Sequence, residues 1–249
     1  MKRAFPILFI LFGLSACAAP DAHIPDFARL PYEQISRETV VAIALREWRL
    51  FGSLSGDDDA PSTNIKYERE PGLWQRVGEY WWLGLNAEWS ERRWTGKHDE
   101  TGHVFAPQRD ETYAWSAAFI SYVMRISGAG NRFPYSPRHA DYINAARRAS
   151  LANDMSALLW AESPNDYAPH LGDLICFGRE RAGGLRFEDL PAPSFPGHCE
   201  IVVATEPDRV AVIGGNEDDA VEMKHLPVTA DGRLVSANYL AVLEVRYPR

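Results

Sequence analysis

Four short segments carry the side chains from which a reaction could be built. Ala114-Trp115-Ser116-Ala117-Ala118-Phe119 opens a run with helical spacing, and Pro169-His170-Leu171-Gly172-Asp173-Leu174 leads into an apolar run. Gly197-His198-Cys199-Glu200-Ile201-Val202 enters a second apolar run. Ile213-Gly214-Gly215-Asn216-Glu217-Asp218-Asp219-Ala220-Val221 is a turn between two more. Ser and His are side chains that nucleophilic catalysis draws on. A hydroxyl attacks only when a base takes its proton, and the base needs a third group to hold it in the right tautomer. His139 and Tyr142 share one face of a further helix, within reach of the same groove. Asp173 and Glu200 flank the two central strands, where turn capping or solvent contact is the commoner use. No His/Cys group has zinc-ligand spacing, and there is no phosphate loop or dinucleotide fingerprint. No metal and no cofactor are expected.

In this order the four segments resemble the NlpC/P60 and CHAP families of papain-like cell-wall hydrolases. The resemblance is to their amidase-like branch, with its Trp-Cys-Ala-Ala-Phe helix start, and to a related bacterial family of unknown function. It covers roughly residues 106–249. It implies acyl transfer through a nucleophile at a helix N-terminus, a His on the neighbouring strand as base, and a third polar residue that orients it. Free N–H groups at the helix start would stabilise the oxyanion. Carried over position by position, Ser116 falls on the nucleophile, His198 on the base, and Asn216 or another strand residue on the orienting group. Trp115, His139 and Asp173 are then candidates for contact with substrate. The implied substrate is a peptide or amide bond of peptidoglycan, as the intact polymer or a muropeptide. The departure is that Ser116 stands where the family has Cys. A hydroxyl is far less acidic than a thiol, so the base must remove its proton during attack and Ser–His geometry must be tighter. Two alternatives stay open: an inactive relative that binds peptidoglycan or a partner protein, and a serine acyltransferase or esterase.

The elements that would position these residues are legible from periodicity. Val41, Ala44, Leu45, Trp48 and Phe51 recur at helical spacing from Ser36 and stop at Gly52. Residues 71–94 carry Trp74, Tyr80, Trp81, Trp82, Trp89 and Trp94, which read mainly as helix faces packed on the rest of the chain, with one or two free to line a groove. Helices are predicted over Tyr113–Arg125 and from Ser136-Pro137 to about Leu151. After that the period changes to short β-branched runs at 174–177, 201–203, 210–213, 221–223 and 240–245. Helices followed by a strand meander predict an α+β fold: a papain-like, NlpC/P60-type core of helices on a short-stranded antiparallel sheet, with an N-terminal helical, Trp-rich extension. The expected division is a signal peptide at 1–16, a tether at 17–30, the extension at 31–105 and the hydrolase-like domain at 106–249. Cys176 and Cys199 lie on strands expected to be antiparallel neighbours, where a disulfide is geometrically accessible with favourable local twist.

The N-terminus reads as a targeting device. Lys2 and Arg3 precede an apolar stretch from Ala4 to Leu14 that is too short to span a bilayer. Leu14-Ser15-Ala16-Cys17 resembles the bacterial lipobox, which implies cleavage before Cys17 and its acylation. Ala18, rather than Asp, follows the Cys, and the resemblance then implies an outer-membrane anchor facing the periplasm. No later apolar run is long enough for a transmembrane helix. The whole chain has 249 residues, 46% of them hydrophobic, and a net charge of −8, the balance of a folded domain without the clustered basic charge of a nucleic-acid binder.

Overall fold

The computed structural model describes residues 33–56, 65–236 and 238–248. The signal peptide, Cys17 and the tether lie outside these residues.

Ser36 starts helix α1 (Arg37–Leu50) by a reciprocal cap. Its Oγ accepts the Thr39 N–H at 3.2 Å, and its own N–H donates to Thr39 Oγ1 at 3.1 Å. Gly52 follows the helix at φ +90°, a conformation that suits a residue without Cβ. Helix α2 (Leu73–Gly84) buries Val77, Tyr80 and Trp81, and Trp89 and Trp94 pack half-buried against the same core. Trp82 is exposed, and Trp74 lines a surface cleft of about 490 Å³ with His98 edge-on at 4.4 Å. Helix α3 (Ser116–Ile126) is buried along nearly its whole length, and α4 (His139–Leu151) follows. The last begins later than Ser136-Pro137. Ser136 Oγ is used instead to accept the Arg138 N–H and to donate to Asp141, which shapes the approach to the helix.

The sheet has seven strands: β1 (Leu54–Ser55), β2 (Leu159–Glu162), β3 (Leu174–Gly178), β4 (Gly197–Thr205), β5 (Arg209–Glu217), β6 (Ala220–Pro227) and β7 (Tyr239–Val245). Their order is β1-β6-β5-β4-β3-β7-β2. Every pairing is antiparallel except β1 on β6, which is parallel. The fold is α+β. The described residues belong to one compact unit, Tyr32–Arg249, and the boundary expected at 105/106 falls inside it. Helix α2 packs so closely on α3 that a Cβ on Gly84 would come within 2.6 Å of the Ala118 carbonyl oxygen. Among the described residues, no helix is long and apolar enough to cross a membrane.

Cys176 on β3 and Cys199 on β4 are directly paired, and a disulfide joins them. The bridge is fully buried in the main core. The cysteines are 23 residues apart, so in the chain-entropy model the link stabilises the fold by about 3 kcal/mol. Cys176→Ser/Cys199→Ser should therefore lower the unfolding free energy by about that amount. Urea melts of both forms under non-reducing conditions measure it.

Candidate functional site

Ser116 is the first residue of α3, as its segment predicts. The first intrahelical bond runs from the Phe119 N–H to the Trp115 carbonyl at 2.9 Å, so the N–H groups of Ser116, Ala117 and Ala118 precede the helical ladder. Those groups and the helix-end charge are what an oxyanion needs.

The partner of Ser116 is not the one the family pattern implies. Its Oγ lies 2.7 Å from Nε2 of His139, the first residue of α4. The starts of two helices thus face each other, each offering one reactive side chain. His139 Nδ1 is hydrogen-bonded to the hydroxyl of Tyr142, one turn along the same helix. The sequence placed His139 and Tyr142 on a shared face but assigned His139 to substrate contact. Helical i,i+3 spacing at a helix start was the signal for this relay.

All three groups are enclosed. His139 is 5% exposed and Ser116 7%, and Tyr142 is fully buried. Burial, then the nearby charge of His198 and Arg179, holds the His139 ring well below its ordinary 6.5, so it is neutral at pH 7. Burial likewise raises the Tyr142 hydroxyl, which keeps its proton. With the Nδ1 proton donated to the Tyr142 oxygen, Nε2 is free to take a proton from Ser116.

His198 is fully buried beside this relay, its ring centroid 5.1 Å from that of His139 and 5.2 Å from that of Phe177. It turns to Glu217. Nε2 lies 2.6 Å from Glu217 Oε1, a close ion-pair contact outside aligned hydrogen-bond geometry. Burial works against the Glu217 carboxylate, but His198 and Lys224 outweigh it and pull the group down to about 2. Arg179 Nη2 reaches Oε1 at 2.9 Å, and Lys224 Nζ reaches Oε2 at 2.9 Å.

Asn216 does not orient the histidine, and the backbone says why. Strict alternation along β5 would put Asn216 on the side of Gly214, against His198. Asn216 instead sits at φ +57°, where the register slips by one residue between Gly215 and Glu217. The bulge moves Glu217 to that side. The two glycines before it serve close packing. A Cβ on Gly214 would lie 3.0 Å from His198 Nε2, and one on Gly215 would lie 2.6 Å from Phe119 Cγ.

Two other candidates have structural roles. Trp115 is fully buried among Phe51, Tyr80 and Phe119, and its indole N–H donates to the Glu68 carboxyl, which burial pushes up to about 8. It therefore fixes the start of α3 from behind and has no surface for substrate. Asp173 is buried just before β3, at the strand end away from His198. It accepts the N–H groups of Val245 and His170 at 3.0 and 2.9 Å and the Tyr167 hydroxyl at 3.0 Å. It ties the last strand to the turn. Burial raises it to about 6 despite those bonds. Glu217, Lys224 and Arg179 were not singled out by the sequence, because only the β5 bulge and the strand pairing bring them to His198.

The arrangement offers a serine hydroxyl, a neutral imidazole in contact with it, and unpaired N–H groups at the same helix start. Its shortfalls are the absence of a carboxylate on His139 and the cover over Ser116. Five clefts of about 130 to 580 Å³ are lined without that residue. No curated protein and no solved structure matches the chain. A family model does match, over residues 68–248, a span that takes in α2, the Ser116–His139 pair and the sheet from β2 to β7. The chain therefore belongs to the family DUF2272, described as an uncharacterized protein conserved in bacteria.

Proposed function

We propose that this chain is a lipid-anchored cell-envelope hydrolase that cleaves peptide or amide bonds of peptidoglycan through Ser116. The observation that carries the reading is the 2.7 Å contact between Ser116 Oγ and His139 Nε2 at the first turn of α3. In the proposed cycle Oγ attacks the carbonyl carbon while its proton passes to His139 Nε2. The N–H groups of the helix start hold the oxyanion. Collapse breaks the C–N bond, and the leaving amine takes the proton from His139. Water then repeats the sequence on the acyl-serine and regenerates the hydroxyl. Tyr142 keeps the His139 ring in place throughout. His139 takes the role that the family pattern gives His198, and Tyr142 the role it gives Asn216. The side chains over Ser116 must part for a muropeptide to enter.

That last requirement supports a second reading, a relative that binds peptidoglycan or a partner without cleaving it, because Ser116 is only 7% exposed. Incubation of the purified protein with muropeptides, followed by mass spectrometry, separates the two. Hydrolysis products that vanish in Ser116→Ala support the enzyme. Intact muropeptides that nevertheless co-purify with the protein support the binder.

The anchor rests on the Leu14-Ser15-Ala16-Cys17 motif. Cys17→Ser should move the protein from the membrane pellet to the soluble fraction or leave it unprocessed. A processed variant that still sediments with the membrane contradicts lipidation.

A further inference from the structure

We propose that His198, Glu200 and Glu217 form a binding site for a divalent transition cation of the zinc class, in exchange for the ammonium of Lys224. One ligand atom from each of the three lies within 4.8 Å of the others, and all three side chains are enclosed. The sheet explains the cluster. His198 and Glu200 are two apart on β4 and share a face, and the Asn216 bulge brings Glu217 onto the same face from β5. A linear sequence shows no zinc spacing here, because the ligands come from two strands and a register slip.

A second observation points to a ligand. His198 is fully buried, and neither of its ring nitrogens makes an aligned hydrogen bond. Buried imidazoles are normally satisfied. Nε2 faces Glu217 Oε1 at 2.6 Å, which points it into the cluster. One imidazole and two carboxylates are a donor set that zinc accepts, with bonds of about 2.0–2.2 Å and ligand atoms therefore roughly 3.3 Å apart. The ring and the carboxylate need to separate by only about 0.7 Å to reach that spacing.

The Lys224 ammonium now lies between the carboxylates, 2.9 Å from Glu217 Oε2, 3.3 Å from Glu200 Oε1 and 3.5 Å from Glu222 Oε2. It is the group a metal must displace, and it has somewhere to go. Its side chain is 30% exposed and borders a cleft of about 280 Å³ lined also by Phe177, Glu200 and Tyr239. In the exchange the ammonium swings out toward that cleft and one divalent cation takes its place beside the carboxylates. Glu222 then becomes available as a fourth ligand, the third through oxygen, while Arg179 continues to hold Glu217 from outside.

The test is calorimetric titration of chelator-treated, untagged mature protein with zinc chloride. Wild type should bind one zinc per chain. His198→Ala and Glu200→Gln should each weaken binding by at least about tenfold, since even outer-shell changes cost about that much. Lys224→Met should tighten it by about tenfold, which is about 1.4 kcal/mol. Should His198→Ala not fold, judged by its near-ultraviolet spectrum, Glu200→Gln decides, because it keeps the shape of the side chain. Absence of zinc binding by wild type overturns the site. So does binding that the folded ligand variants leave unchanged, or that Lys224→Met fails to tighten.

Discussion

Ser116→Ala should lower kcat/KM on a muropeptide substrate by about 10³-fold or more, and His139→Ala by a similar factor. The double variant should be no slower than either alone, because proton removal and attack are one event and the second loss removes nothing further. Tyr142→Phe should cost less than either, since it leaves nucleophile and base intact and loosens only the ring. The acid limb of the pH profile carries an independent signature. The base must be neutral to act. Burial and the charges of His198 and Arg179 hold His139 well below 6.5, so activity should persist to a lower pH than an ordinary histidine base permits. His198→Gln removes one of the charges that resist protonation of His139, so the limb should move to higher pH. A limb near 6.5 in wild type that His198→Gln leaves in place contradicts His139 as the base. Ser116→Cys addresses the family's usual nucleophile. Hydrolysis that appears only in that variant would assign the native chain to binding.

Glu47→Ala should destabilise the protein by about 3–5 kcal/mol, the cost of removing one partner from a buried ionic group. The Glu47 carboxylate is fully buried where three helices meet. It accepts hydrogen bonds from Arg76 Nε at 2.7 Å, Arg46 Nη2 at 2.7 Å and the Tyr80 hydroxyl at 2.7 Å. Both arginines also reach the Tyr122 hydroxyl on α3. Burial pushes the carboxyl up, but Arg76, Tyr80 and Arg46 outweigh it and hold it below its ordinary value. Without Glu47 the Arg76 guanidinium, 17% exposed, keeps its desolvation and loses its buried counter-charge, leaving only the half-exposed Glu79 carboxylate. The effect should reach the site, because Tyr122 and Ser116 are on the same helix. Glu206→Ala is the control. The Glu206–Arg209 pair is about half exposed on both sides, and such pairs contribute about 0–1 kcal/mol. Equal melting-temperature losses in the two variants would contradict the network's role.

The sequence foretold those features that depend on local chemistry. Ser36, Gly52 and the helical spacing of Val41, Ala44, Leu45, Trp48 and Phe51 bounded one helix without tertiary help, although the residues α1 buries are Val40, Ala44 and Glu47. The β-branched runs after residue 173 became β3 to β7 because each lies within a strand of five to nine residues. Two strands escaped for the opposite reason. Leu54–Ser55 has two residues, and Leu159–Glu162 has four, too few for alternation to stand out from a helix end. The site was half legible. Ser116 at a helix start and His198 on a strand follow from their segments. The pairing did not follow, because which histidine meets Ser116 depends on how α4 docks, and that is a tertiary fact. The bulge at Asn216 was equally hidden. A single residue at φ +57° exchanges Asn216 for Glu217 at the face of His198, and nothing in the Gly-Gly-Asn-Glu string marks where alternation breaks.

A fluorophosphonate reagent tests the central claim most directly, because it captures only serines that a neighbouring base activates. Treated protein, digested and mapped by mass spectrometry, should carry one adduct on Ser116. That adduct should be absent from a folded His139→Ala variant. An unmodified Ser116 in the folded wild-type protein, or an adduct that persists at full yield without His139, would contradict the account.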